Sequence, residues 1–198
     1  MTGAESAPAL QSLDVPDDRW LELTIPGSAP QVRLCRLRAD PVSKASVSLV
    51  RFPPGWHRPG VGHYLPAEEF VVLEGSIEVI GTHGAGDYVY LPPRTVRADT
   101  RSDEGALVIA WFSGVPEWVD GEPALTAPQD PVALDARGVL RADAPEVPGE
   151  YVVLSDGLRG PLHHDADLLD LEARLWGWLP AGTPPPAGHA PLHVRSWG

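Results

Sequence analysis

The feature that most constrains the fold is a series of short apolar runs, separated by turn-forming residues, between Trp20 and Trp118. The separating segments PPG, GTHGAG, LPPR and RSDEG consist of residues that end strands or reverse the chain. No amphipathic helical pattern lies between the runs, so an antiparallel sandwich or barrel is predicted. The predicted strands are 31–36, 45–52, 69–73, 76–80, 87–91 and 106–113.

The segments on either side of the predicted barrel differ from it in composition. Residues 1–18 are polar and acidic, which predicts a flexible N-terminal arm before a barrel at 19–118. Residues 119–150 are rich in Pro, Ala and Asp and are expected to form a linker or a long loop. Residues 151–198 hold three of the seven Trp and are expected to be an irregular C-terminal extension that packs on the barrel or on a partner subunit. Strands within this extension are expected at 151–154, 174–179 and 192–196, and the pattern at 165–173 allows a short helix instead.

The charge and cysteine content exclude several classes of protein. The chain has 15 Lys and Arg against 27 Asp and Glu, a formal net charge of −12, so it would repel a phosphate backbone and no nucleic acid partner is expected. The single cysteine, Cys35, cannot form an intramolecular disulfide. No apolar run approaches the ~18 residues of a membrane-spanning helix, and the first residues lack the pattern of a signal peptide. We therefore expect a cytoplasmic protein without a membrane partner.

Two motifs carry a resemblance to a known family. Residues 55–75, GWHRPGVGHYLPAEEFVVLEG, resemble the first motif of the cupin superfamily, G-x5-H-x-H-x4-E-x6-G, with its second histidine at His63 and its glutamate at Glu68. Residues 86–97, GDYVYLPPRTVR, resemble the second motif, G-x5-P-x-G-x2-H. The resemblance implies an all-β fold, a cupin-type double-stranded β-helix (jelly-roll) barrel that is usually a homodimer. It also implies a pocket that often holds Fe, Mn, Ni or Zn through three His and one Glu.

The departures from these motifs argue against that metal. The first histidine position holds Val61, the second motif's histidine position holds Arg97, and its internal glycine position holds Arg94. Two remaining ligands rarely hold a divalent metal, and a guanidinium repels the cation while pairing with Glu68. No metal cofactor is therefore favoured. If a metal is present, an extended strand through this region would allow the set His57, His63 and Glu68.

The leading functional hypothesis is a pocket that binds a small organic ligand, anionic or carbonyl-bearing. Arg97 would anchor the ligand, while His63 or Glu68 would act as general acid or base in a metal-independent lyase, isomerase or cyclase reaction. The remaining candidate ligand-binding residues are His57, Val61, Tyr88, Tyr90 and Arg94.

Two alternatives from other functional classes remain open. In the first, Glu68 and Arg97 form a structural pair and the protein is a non-catalytic sensor or a dimeric interaction module. In the second, the chain is a metal-dependent dioxygenase or isomerase. The sequence does not identify the ligand or the reaction, because one fold hosts many functions.

Overall fold

The computed structural model describes residues 9–123 and 138–198. The predicted N-terminal arm and linker therefore lie partly outside the described residues, at 1–8 and 124–137. The chain divides into two compact units: Pro16–Asp130 forms the first, which we call the barrel unit, and Met1–Val15 with Pro131–Gly198 forms the second, which we call the terminal unit.

The described residues form strands, one short 3-10 helix at Asp17–Arg19 and no α-helix, so the predicted all-β class is confirmed. None of their helices is long and apolar enough to cross a membrane. The strands are β1 (Gln11–Ser12), β2 (Leu21–Leu23), β3 (Val32–Ala39), β4 (Ser46–Phe52), β5 (Trp56–Arg58), β6 (Gly62–Tyr64), β7 (Glu68–Glu78), β8 (Thr82–Gly84), β9 (Tyr88–Leu91), β10 (Thr100–Ser102), β11 (Ala106–Phe112), β12 (Trp118–Asp120), β13 (Val139–Arg141), β14 (Tyr151–Leu154), β15 (Ala166–Asp170), β16 (Leu175–Leu179) and β17 (Leu192–Ser196).

The barrel unit is built around β7. Its nine-stranded sheet has the order β2-β3-β4-β11-β7-β10-β5, with β8 and β9 also paired to β7, and β6 pairs with β12 in a separate two-stranded sheet. The predicted strands at 69–73 and 76–80 are one continuous strand, because β7 passes through Gly75 without ending. Antiparallel pairing throughout gives the jelly-roll barrel that the sequence predicted.

Alternate residues of these strands fill the inside of the barrel. The side-chain period of a strand is two, so every second position faces the interior. The resulting buried apolar cluster consists of Val32, Val50, Phe52, Trp56, Phe70, Val72, Ile77, Val79, Val89, Leu91, Ala106, Val108 and Ala110.

The terminal unit is a six-stranded antiparallel sheet with the order β1-β16-β15-β17-β14-β13. The segment 151–198, expected to be irregular, contains the strands β14 to β17. The sequence pattern also allowed a short helix at 165–173, and this alternative is wrong, because the segment contains the strand β15. All five residues of that strand are buried, and a strand buried on both faces shows no polar alternation that would distinguish it from a helix.

The glycines that match the motifs occupy backbone conformations that other residues adopt at a cost. Gly55, Gly75 and Gly86 have φ of 75°, 68° and 92°. A Cβ on Gly75 would also clash with the carbonyl oxygen of Gly105. Arg94, at the motif position that normally holds glycine, has φ of 60° and so retains the left-handed conformation without the glycine.

The first prediction concerns Gly75. Replacing it by Ala should destabilise the chain by about 2 kcal/mol or more, because positive φ and a clash with backbone act together. Gly84→Ala is the matched control, since nothing lies within 4 Å of the added methyl group. Chemical denaturation monitored by tryptophan fluorescence measures both variants, and equal midpoints would contradict the argument.

The second prediction concerns the half-buried His193 on β17, whose pKa is lowered by desolvation and raised to a lesser extent by Asp170. Unfolded chains take up a proton at this histidine as the pH falls through about 6.5, whereas the folded chain does so only at lower pH. Stability should therefore decline below pH of about 6.5, by at most about 1.4 kcal/mol per pH unit from this group. His193→Gln should make that decline shallower in denaturant titrations, and identical pH profiles would refute the assignment.

Candidate ligand site in the barrel

The interior of the barrel unit contains a cavity of about 360 Å³. This volume falls in the range of small-molecule pockets. Apolar side chains form most of the wall, namely Leu23, Ile25, Pro26, Val32, Leu34, Val50, Phe52, Trp56, Phe70, Ile77, Val79, Val108, Ala110, Phe112 and Pro116. The polar lining residues are Thr24, Arg58, Tyr64, Glu68, Arg97 and Thr100.

The register of the paired strands β5 and β10 determines which of their side chains face the cavity. Arg58 lies opposite Thr100 in the register, and both side chains face the cavity. His57 lies opposite Arg101 on the other face, where its Nε2 is 2.6 Å from Asp99 Oδ1 and its side chain is 43% exposed. The candidate ligand-binding residue His57 is thus outside the cavity lining.

The strand β6 presents Tyr64, and not His63, to the cavity. Tyr64 lies opposite Trp118 on β12, with ring centroids 5.2 Å apart. His63 points to the other face of this short strand, where it is buried and its Nδ1 donates to the carbonyl oxygen of Gly121 at 3.1 Å. Gly62 leaves the space that the Trp118 ring occupies, since a Cβ there would clash with that ring.

The strands β7 and β9 repeat the same alternation. Glu68 and Phe70 face the cavity. Glu69 faces the opposite side, where its Oε1 accepts a hydrogen bond of 2.7 Å from the Tyr88 hydroxyl. Tyr90 lies opposite Glu69 and shares that outer face. Tyr88 and Tyr90 therefore share a face, as the sequence predicted, and this face lies away from the cavity.

Glu68 and Arg97 form a buried ion pair within the cavity. Arg97 Nη1 donates to Glu68 Oε2 at 2.5 Å, and the two side chains are 4% and 14% exposed respectively. Backbone hydrogen bonds in both directions between Arg97 and Gly62 fix the position from which the guanidinium extends. The pairing that the sequence suggested for these two residues is present in the structure. The Nε of Arg97 has no hydrogen-bond acceptor among the described residues.

Arg58 is a buried cation without a carboxylate partner in the described part of the chain. The residue is 3% exposed, and no described Asp or Glu lies within salt-bridge distance. Its guanidinium carbon lies 3.6 Å from the centroid of the Trp118 ring, and its Nη1 donates a long hydrogen bond of 3.4 Å to the Tyr64 hydroxyl. Burial lowers the pKa of Arg58, while Tyr64 opposes this effect. Even so, an arginine stays protonated at neutral pH.

The groups around Arg58 offer further hydrogen-bond donors. Its own Nε and the Oγ1 of Thr100, both buried, have no partner among the residues that the structure describes. Burial raises the pKa of the Tyr64 phenol, which therefore stays neutral and keeps its proton. With Arg58 and Arg97 positive and Glu68 negative, the charged lining residues sum to one net positive charge.

The donor set of the cavity does not suit the divalent metal that the resemblance implies. Of the four motif positions, Val61 is exposed, His63 faces away, Glu68 is paired and Arg97 is itself a cation. No three described His, Cys, Asp or Glu side chains are arranged to hold a metal ion, so the alternative set with His57 is not brought together. Hard or borderline cations need carboxylate or imidazole ligands, which two guanidiniums do not replace.

The structure thus brings together Glu68 and Arg97 of the predicted site and places the other candidates outside the lining. Val61 is 44% exposed at the surface, and Arg94 is exposed with its backbone N donating to the Tyr64 carbonyl oxygen. Sequence reasoning missed the lining residues Arg58 and Thr100 and placed Tyr64, the neighbour of His63, only at the rim of the pocket. The alternation around the buried Trp56 was the available signal for Arg58, because residues two apart share a strand face.

Solved structures with this fold come from several bacteria. A protein from Nostoc punctiforme, provisionally assigned as a dioxygenase, is 13% identical over 98% of this chain and 76% of its own, with a TM-score of 0.58. An acetylacetone dioxygenase from Acinetobacter johnsonii is 13% identical over 59% of this chain and 89% of its own, with a TM-score of 0.46. The Rhodobacter sphaeroides complex of SigE with the anti-sigma ChrR gives 21% identity, 52% coverage of both chains and a TM-score of 0.41. The first of these similarities, with a TM-score above 0.5, shows the fold alone.

A family model provides the assignment that the structural similarities do not. No curated protein matches the sequence. The model of the ChrR cupin-like domain matches residues 12–115, which include both motifs and all polar residues that line the cavity. This match spans more than half of the 198 residues, and the barrel is the fold that the family description names. The chain therefore belongs to the family of ChrR cupin-like domains.

Proposed function

We propose that this cupin-like chain binds a small organic anion in the cavity of its barrel. The observation that carries the proposal is Arg58, a guanidinium that is 3% exposed and has no carboxylate partner among the described residues. Its position opposite Thr100 turns this charge toward the cavity.

The energetic cost of Arg58 supports an anionic ligand. Removing an ion from water costs several kcal/mol, roughly, unless an opposite charge or good hydrogen bonds replace the hydration. Stacking on Trp118 and one long hydrogen bond to Tyr64 replace little of it. A ligand anion would supply the missing charge, and the net positive lining favours that sign.

The geometry favours binding over proton transfer. The acid–base hypothesis used both His63 and Glu68, but His63 faces away from the cavity. Glu68 is held by Arg97 at 2.5 Å, so proton transfer would rest on this one carboxylate. A cavity with strong anion-binding groups and one engaged carboxylate fits the non-catalytic sensor better than a lyase, isomerase or cyclase.

The third prediction tests anion binding with a carboxylate and its neutral isostere. Hexanoate should raise the melting temperature of the full chain in a saturable way, whereas hexanamide should not, because only the carboxylate compensates Arg58. Arg58→Met should remove the hexanoate effect. Arg159→Met, which deletes an exposed cation of the terminal unit, is the control for net charge and should respond as the natural sequence does. An undiminished response in Arg58→Met would refute the proposal.

The fourth prediction compares two arginines of one cavity without ligand. Arg97→Met should lower the unfolding free energy by about 3 kcal/mol or more, because it leaves Glu68 buried without its cation. Arg58→Met should leave stability unchanged or raise it by about 1 kcal/mol, since it removes a buried charge that has no partner. Urea denaturation of both variants measures the contrast. If Arg58→Met is as destabilising as Arg97→Met, Arg58 is a structural residue and not a ligand anchor.

A further inference from the structure

The charged groups that line the cavity form one connected cluster. Arg58 bonds Tyr64, the guanidinium of Arg97 lies 5.0 Å from the Tyr64 ring, and Glu68 pairs with Arg97. Thr100 joins the cluster as the cross-strand neighbour of Arg58. No other charged residue lines the cavity among the described residues, and apart from Thr24 the rest of the wall is apolar.

We infer that the anion is an amphipathic monocarboxylate, whose carboxylate lies against Arg58 and Thr100 and whose hydrocarbon chain lies along the apolar wall. This inference rests on the proposed function and specifies its ligand class.

The head group is identified by two of the three lining donors that have no partner among the described residues: Arg58 Nε and Thr100 Oγ1 belong to opposite residues of one strand pair, whereas the third, Arg97 Nε, belongs to a guanidinium already paired with Glu68. Opposite residues of an antiparallel pair have Cβ atoms about 5 Å apart, so the side chains of Arg58 and Thr100, which carry these donors, line the same part of the cavity. A carboxylate has two oxygens that accept such donors in a charge-assisted geometry. Stacking on Trp118 fixes the plane of the guanidinium, and Gly62 leaves the space for that ring.

The charge of the lining limits the ligand to one negative group. Arg97 is already paired with Glu68, so only the charge of Arg58 is available to an incoming anion. A monocarboxylate neutralises it, whereas a second carboxylate would be left either beside Glu68 or against the apolar wall. Both positions would remove its hydration without giving it a partner.

The apolar wall determines the remainder of the ligand. Phe70 of β7, Val108 of β11 and Val50 of β4 belong to neighbouring strands and form a continuous apolar surface in the lining. A hydrocarbon chain against such a surface gains about threefold to fourfold in affinity for each buried methylene. Affinity for straight-chain acids should therefore rise with length until the cavity is filled.

The fifth prediction is tested by calorimetric titration of the full chain with octanoate, butanoate and suberate. Octanoate should bind one per chain, at least tenfold more tightly than butanoate, because four more methylenes are buried. Suberate, with the same number of carbons and a second carboxylate, should bind at least tenfold more weakly than octanoate. Thr100→Val should weaken octanoate binding several-fold, and Thr82→Val, on the exposed surface of β8, should not.

The outcomes separate this inference from the proposed function. If suberate binds as tightly as octanoate, or butanoate as tightly as both, the monocarboxylate with an apolar chain is refuted while the anion site stands. If none of these acids binds and hexanoate also leaves the melting temperature unchanged, the anion site itself is refuted. An unchanged octanoate affinity in Thr100→Val, with binding lost in Arg58→Met, would overturn the place of Thr100 in the head-group site.

Discussion

The two-residue period of the strands decides the chemistry of this barrel. On β5, β6 and β7 it selects Arg58, Tyr64 and Glu68 for the cavity and turns His57, His63 and Glu69 away from it. A shift of one residue in any of these strands would exchange the sets, replacing a guanidinium and a phenol by imidazoles. The charged groups of the interior are therefore one carboxylate and two guanidiniums, and the proposed anion site rests on that composition.

The two guanidiniums have different consequences because only one has an internal partner. Arg97 and Glu68 neutralise each other, so this pair holds β7 to the segment after β9 without adding charge to the cavity. Arg58 adds the charge, and Trp118 holds it against one wall by stacking. The net positive charge of the lining, on which the proposed anion binding depends, therefore comes from Arg58 alone.

Much of the fold could be predicted from the sequence, and less of the site. The strands with five or more residues were recognised in the barrel because their apolar runs are bounded by turn residues, whereas β5, β6, β10 and β12 have three residues each and are too short to show a period. Three of these short strands, β5, β6 and β10, carry Arg58, Tyr64 and Thr100, the lining residues that were absent from the predicted set of ligand-binding residues. Glu68 and Arg97 were recognised because their opposite charges, at two motif positions expected to face one pocket, predict an ion pair. This prediction does not require the strand register.

Arg58 has aromatic neighbours, Trp118 and Tyr64, in place of a carboxylate partner among the described residues. A carboxylate partner within the chain would neutralise Arg58 and compete with the proposed ligand. The face of Trp118 attracts the cation without occupying its hydrogen-bond donors, and Tyr64 accepts only one long hydrogen bond, from Nη1. The buried Nε–H of Arg58 has no acceptor among the residues that the structure describes. Under the proposed function, an anionic ligand would form a charge-assisted interaction with Arg58. It would also offset the part of the desolvation cost of this guanidinium that the aromatic rings leave uncompensated.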